Sequence, residues 1–250
     1  LFGVTQGLPF LFIVTAYVIG SLSTLLSGLL MLREKLRFRL AFSEYRKLLV
    51  HSLPFFFSSV LAVLYWRVDT IILSFFKNPQ TLPDVGIYTA SYRIFEVFVL
   101  FGTFFANALL PILARRVHNR DFTRISLEAF ILSIVGGVLA ILLVYFLAKD
   151  IIFIIAGETF AEAILPLRIL GIAFGLSLII NLLYTIIVVC NKQAYLIPVG
   201  VVALLFNVIA NILFIPRFSY IASATITVLT SLIIMISYCG IVLMARKRFV

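Results

Sequence analysis

An arginine and a glutamate one turn apart, Arg93 and Glu96, stand inside an apolar stretch from Gly86 to Leu113 that is long enough to cross a bilayer. On a helix of 3.6 residues per turn they lie about 60° apart. They share a polar stripe with Thr89, Thr103 and Asn107. The preceding stretch, Pro54 to Phe76, carries Arg67 and Asp69 at a similar depth. A charge in hydrocarbon costs roughly 2.5–3.5 kcal/mol by insertion scales, so such residues face a bundle interior or a water-filled path. Basic groups there can hold an anion, and acidic groups can carry protons or small cations. The pattern points to a carrier with a polar lumen, not to a passive anchor.

Helical phase sorts these charges further. Arg67 and Asp69 are about 200° apart and cannot both face one lumen. Asp69 continues a small or polar face with Ser58, Ala62 and Tyr65, so it is expected to point inward. Arg67 is left to reach the outer interface or to pair with a neighbouring helix. Asp69 and Arg93 sit on consecutive antiparallel spans at comparable depth, where a salt bridge between them is expected. A purely structural role is the alternative, since ion pairs can lock a bundle. A locking pair, however, has no need of Thr89, Thr103 and Asn107 on the same line.

Three further stripes are weaker. Ser177, Asn181 and Tyr184 share a face, Asn207 and Asn211 are one turn apart, and Ser223, Thr227, Thr230 and Ser237 line one side of a later span. Hydroxyl and amide groups are the ordinary glue of transmembrane packing, and these stripes are read first as packing. Asn181 is kept as a lumenal candidate with Arg93, Asp69, Glu96, Arg67 and Asn107.

The elements that position these residues follow from composition. The chain of 250 residues is 63% hydrophobic and 12% charged, with mean hydropathy +1.20. Soluble domains run at about 45–50% apolar and about 25% charged. Apolar stretches near bilayer length recur throughout, which predicts an all-α integral membrane protein. Barrel strands would alternate in character over about ten residues, and these do not. Seven spans are expected: Leu8–Leu32, Pro54–Phe76, Gly86–Leu113, Ile125–Ala148, Ile164–Cys190, Tyr195–Ile215 and Tyr220–Ala245. Phe42–Ser52 reads as an amphipathic interfacial helix, with Phe42, Tyr45 and Leu49 on one face. Lys149–Ala163 reads as an outer-face elbow closed by Gly157, Glu158 and Glu162.

Basic residues alternate across these spans. Arg33, Lys35, Arg37, Arg39, Arg46 and Lys47 follow the first span. Arg115, Arg116, Arg120 and Arg124 follow the third, Lys192 the fifth, and Arg246, Lys247 and Arg248 the last. The other side holds only Lys77, Lys149 and Arg217. The positive-inside rule places the richer side in the cytoplasm, with the N-terminus outside and the C-terminus inside. Topology accounts for the net charge of +10, and nothing indicates a nucleic-acid surface. Cys190 and Cys239 lie in or beside apolar spans and read as packing residues, and His51 and His118 as interfacial ones. There is no Ser/His/Asp or Cys/His set, no HExxH motif, no phosphate-binding loop and no metal cluster. A catalytic role and a resident cofactor are therefore not expected. The chain opens at Leu1 without methionine or signal-peptide features, and is expected to be a fragment or a processed form.

Certain motifs bring a family into view. Leu53–Phe57 reads Leu-Pro-Phe-Phe-Phe, and Arg67–Leu73 reads Arg-Val-Asp-Thr-Ile-Ile-Leu. Val85–Glu96 reads Val-Gly-Ile-Tyr-Thr-Ala-Ser-Tyr-Arg-Ile-Phe-Glu, and Leu110–Arg115 reads Leu-Pro-Ile-Leu-Ala-Arg. This resembles the Wzx-type polysaccharide flippases (O-antigen and related oligosaccharides) of the multidrug/oligosaccharidyl-lipid/polysaccharide exporter superfamily. Asn207 and Asn211, leading to Ile215-Pro216, resemble a later stretch of that family. Where its members continue with glycine and then Gly-Ala-Ala, this chain has Ser219, Ala222, Ser223 and Ala224.

The resemblance implies a two-lobe transporter of which this chain is helix six plus the six-helix second lobe. Residues 1–32 would end the first lobe, 33–53 form the basic cytoplasmic linker, 54–245 the second lobe and 246–250 the tail. About five earlier helices, the rest of an N-terminal lobe, would complete the carrier. The implied activity is flipping a polyprenyl-pyrophosphate-linked oligosaccharide across a bacterial or archaeal cytoplasmic membrane. Arg93 would meet the pyrophosphate, because arginine's planar fork suits it. Asp69 and Glu96 would position Arg93 or carry H+ or Na+ as a coupling ion. Membrane lipids and polysaccharide polymerase machinery are the implied partners. A drug–cation antiporter of the MATE type and a lipid II flippase are the rival readings within the superfamily. A membrane-embedded glycosyl- or phosphotransferase and a non-transporting scaffold subunit are the rivals outside it.

Overall fold

The computed structural model describes residues 10–32, 45, 46, 49, 60, 64, 67–76, 81–117 and 121–246. Phe42–Ser52 falls largely outside them, as do His51, His118, most of the basic linker and the end of the tail. The chain divides into two compact units, Leu1–Leu53 and Pro54–Val250.

In the first unit, α1 (Phe10–Leu32) is a single apolar helix. Its hydroxyls turn back onto its own carbonyls: Ser21 to Tyr17 at 3.0 Å, Ser23 to Ile19 at 2.8 Å and Thr24 to Gly20 at 3.0 Å. A hydroxyl satisfied within its helix can face lipid without leaving a bare polar group.

The second unit is built from a helical segment at 67–75, then α2 (Thr81–Arg116), α3 (Asp121–Ile155), α4 (Ile164–Val189) and α5 (Leu196–Arg246). Asp84 in the first turn of α2 and Arg115 and Arg116 in its last turn complement the helix dipole. α4 is the hub and packs against α2, α3 and α5. Leu167, Leu170, Leu182 and Ile187 on it are fully enclosed. α3 is the outer wall, with Leu139, Phe146 and Leu132 exposed as lipid-facing residues.

α3 and α4 cross with backbones touching. A Cβ on Gly175 would stand 2.6 Å from the Gly137 carbonyl oxygen, and one on Gly171 would stand 2.7 Å from Val144. The elbow between them is shorter than expected, because α3 stays helical to Ile155. Gly157 then takes φ 90°, which a residue without Cβ adopts freely, and a 3-10 turn, Glu158–Ala163, leads into α4. Ser91 on α2 donates to the Ala163 carbonyl at 2.9 Å and ties the elbow inward.

At 1.5 Å per residue α5 would be about two and a half times as long as a bilayer core is thick. It is not straight. Ser219 leaves helical geometry at φ 46°, ψ −133°, just after Pro216, and the helix doubles back. Asn207 Nδ2 consequently donates to Thr230 Oγ1 at 3.2 Å, although 23 positions separate them. Ser219 occupies a backbone region that favours glycine, and its hydroxyl donates to the Asp84 carboxylate. Ser219→Val, which retains the strain and loses this bond, is expected to destabilise by about 1–3 kcal/mol. Thermal unfolding in detergent checks this, with Ser219→Gly expected to stay near the parent.

Five helices among the described residues are long and apolar enough to cross a membrane. The expected sixth and seventh spans form one helix with a hairpin break. The expected second span, Pro54–Phe76, is described continuously only over 67–76. Ile164–Cys190 matches α4 to within one residue.

Candidate functional site

Asp69 is the most enclosed charge among the described residues, at 2% exposure. Segment 67–75 turns it into the unit, as its helical phase requires. Tyr88 Oη of α2 donates to Asp69 Oδ2 at 2.5 Å, and the Thr70 backbone N–H donates to Oδ1 at 2.6 Å. Thr227 Oγ1 of α5 lies 3.4 Å from Oδ2 and 2.9 Å from the Ser223 carbonyl. Its single proton goes to the nearer acceptor, so Asp69 sees this hydroxyl only weakly. Every hydrogen-bond donor to this carboxylate is neutral. Burying a carboxylate without a cation is costly, which sets Asp69 apart from a packing residue.

Thr227 also lines a cavity of about 300 Å³ enclosed by α2, α4 and α5. Tyr92, Thr103, Ser177, Asn181, Asn207 and Ser231 supply its other polar walls. Gly102 permits the close approach of α2, since a Cβ there would stand 3.1 Å from Asn181 Nδ2. Beyond the wall, Asn211 Nδ2 donates to Asn207 Oδ1 at 2.9 Å. Asn211 Oδ1 and Ser223 Oγ are buried without a hydrogen-bond partner. Hydroxyl and amide groups of α2, α4 and α5 thus line a buried cavity, and its wall residue Thr227 also lies beside the Asp69 carboxylate. Such a set of hard oxygens can hold a proton or a small cation.

The expected salt bridge between Asp69 and Arg93 does not form. Arg67 Nη2 instead meets Glu96 Oε1 at 2.7 Å, with 43% and 26% side-chain exposure. Phase separates Arg67 from Asp69, and the face that carries Arg67 is the one Glu96 reaches. Asp69, expected in the lumen, lies inside the packed unit, next to the cavity through Thr227 and through Tyr88, which packs on Tyr92. Arg93 and Asn107 are exposed on α2 and do not line the cavity. Asn181 and Thr103 do line it. Arg93 makes no ion pair among the described residues, because Glu96 is already engaged. Tyr88 was missed. A tyrosine within an apolar run reads as packing, although its place one turn before Tyr92 was visible.

These features define a multi-pass membrane protein with a buried acidic site and an exposed intramembrane arginine. Residues 1–117 match the family model described as "Polysaccharide biosynthesis protein", just under half of the chain. The "Capsular polysaccharide biosynthesis protein CapF" of Staphylococcus aureus is 22% identical over 209 residues, which cover 82% of this chain and 52% of that protein. The chain spans about half the length of this curated relative. No solved structure matches the chain. The two matches support, at low identity, the Wzx-type polysaccharide flippase family that the motifs resemble.

Proposed function

We propose that the chain is part of an exporter that flips a polyprenyl-pyrophosphate-linked oligosaccharide from the inner to the outer leaflet of a bacterial or archaeal cytoplasmic membrane. Its work is transport and not catalysis, in the service of surface polysaccharide synthesis. The observation that carries this reading is Arg93. It is exposed on a helix fit to span the bilayer, and the one acid on its stripe is neutralised by Arg67. An uncompensated guanidinium at that depth attracts an anion, and its planar fork fits phosphate oxygens. A carrier of cationic drugs would instead need a free carboxylate in the path. Asp69 is enclosed and Glu96 is paired, which disfavours the antiporter reading.

The buried oxygens around Asp69 are read as the coupling site, filled by H+ or Na+ in one state of the cycle. The basic residues set the orientation, with the N-terminus outside and the C-terminus inside. An N-terminal lobe would complete the path, and polymerase machinery would take up the product. Lipid II is the alternative cargo, since Arg93 would meet its pyrophosphate equally well.

Replacing Arg93 by glutamine is expected to lower export by about 10- to 100-fold at unchanged protein level, the loss of one charged hydrogen bond. Lysine should restore part of it. Measuring surface polysaccharide against immunoblotted protein decides the matter, and full export by Arg93→Gln would remove Arg93 from the path.

A further inference from the structure

A second hollow lies away from the acidic site. It is a groove of about 360 Å³ between the first turns of α3, the last turns of α4 and the last turns of α5. That volume falls in the range of ligand pockets. Phe122, Leu127, Phe130, Ile186 and Leu243 make its walls apolar. It shares no lining residue with the cavity beside Asp69. Lys192, just past the end of α4, stands in its lining and makes no ion pair among the described residues. Ser126 Oγ, in the same wall, is buried without a hydrogen-bond partner.

We propose that this groove binds one anionic phospholipid of the cytoplasmic leaflet, its acyl chain between α3, α4 and α5 and its phosphate at Lys192. An apolar trough ended by a cation is complementary to an amphiphile with an anionic head. Arg115 and Arg116 are exposed at the end of α2 that the charge-derived topology places in the cytoplasm. The groove lies at that same end, where basic pockets between spanning helices collect anionic headgroups. The proposal rests on the membrane orientation and not on the nature of the cargo. Because the groove is separate from the cavity and from Arg93, it suits a resident lipid and not the transported one.

The test uses the full protein, purified in detergent with phosphatidylglycerol or phosphatidylcholine and examined by native mass spectrometry. Phosphatidylglycerol should be retained preferentially. Lys192→Gln should lower its retention about fivefold, and Leu243→Trp, which fills an exposed part of the wall, should remove it. Cys190 and Cys239 both line the groove, so bound phosphatidylglycerol should slow their modification by a maleimide. That readout needs no substitution. Equal retention of the two lipids, or cysteines that react at one rate with and without phosphatidylglycerol, would overturn the proposal. Displacement of phosphatidylglycerol by a polyprenyl phosphate would overturn it as well, by assigning the groove to the cargo's tail.

Discussion

Asp69→Asn is expected to abolish export while the protein accumulates and unfolds normally. The amide keeps the shape of the carboxyl: its oxygen can accept from the Thr70 N–H while its NH2 donates to Tyr88 Oη, whose hydroxyl can turn, so the packing of segment 67–75 against α2 persists. What it loses is the ability to ionise, which the proposed coupling role requires. Asp69→Leu separates the two contributions. It strands the Tyr88 hydroxyl, which is fully enclosed, and should cost about 1–3 kcal/mol of stability in addition to export. Surface polysaccharide measured beside detergent thermal unfolding distinguishes them. Normal export by Asp69→Asn would reduce Asp69 to a hydrogen-bond acceptor and rule out a coupling role for it, leaving the role of Arg93 untouched.

Gly175→Leu is expected to prevent folding, and Gly175→Ala to lower the unfolding temperature by about 5 °C. At the α3–α4 crossing, a Cβ on Gly175 meets the Gly137 oxygen at 2.6 Å and Ile141 Cγ1 at 2.5 Å. The first of these is backbone, which cannot rotate away. The helices must separate, and overpacking of this kind costs about 1–3 kcal/mol for a methyl group. In lipid this loss falls on close packing itself, because no hydrophobic force draws the helices together. Gly86→Ala is the matched control, since nothing lies within 4 Å of the added Cβ. If both alanine variants unfold at the parent temperature, the crossing is looser than its geometry.

Much of this architecture could be read from residue types. Apolar length alone located α4 to within one residue, since a bilayer fixes how long a span must be. The turn between the arms of α5 was marked by Pro216 and by the restart at Tyr220, although a serine supplies the positive φ. Phase within a helix was equally legible, and it placed Asp69 and Arg67 on opposite faces.

What phase cannot supply is the rotation of one helix against the next. That rotation gave Glu96 to Arg67, gave Asp69 to Tyr88, and left Arg93 without the partner expected for it. Within the stripes read as packing, Asn207 does bond across the hairpin to Thr230, and Asn207 and Thr227 also line the cavity beside the acidic site. Amides and hydroxyls serve as glue or as ligands with the same spacing, and only the neighbouring helix decides between them.

The central claim is that this protein moves a finished lipid-linked oligosaccharide and does not build it. The most direct test depletes the protein and measures the lipid-linked pool on each side of the membrane, using a glycosidase that cannot cross it. The account predicts that the intermediate accumulates, complete in structure, where the external enzyme cannot reach it. An intermediate that is truncated or depleted, with the remainder still cleaved from outside, would contradict it and point to a role in synthesis.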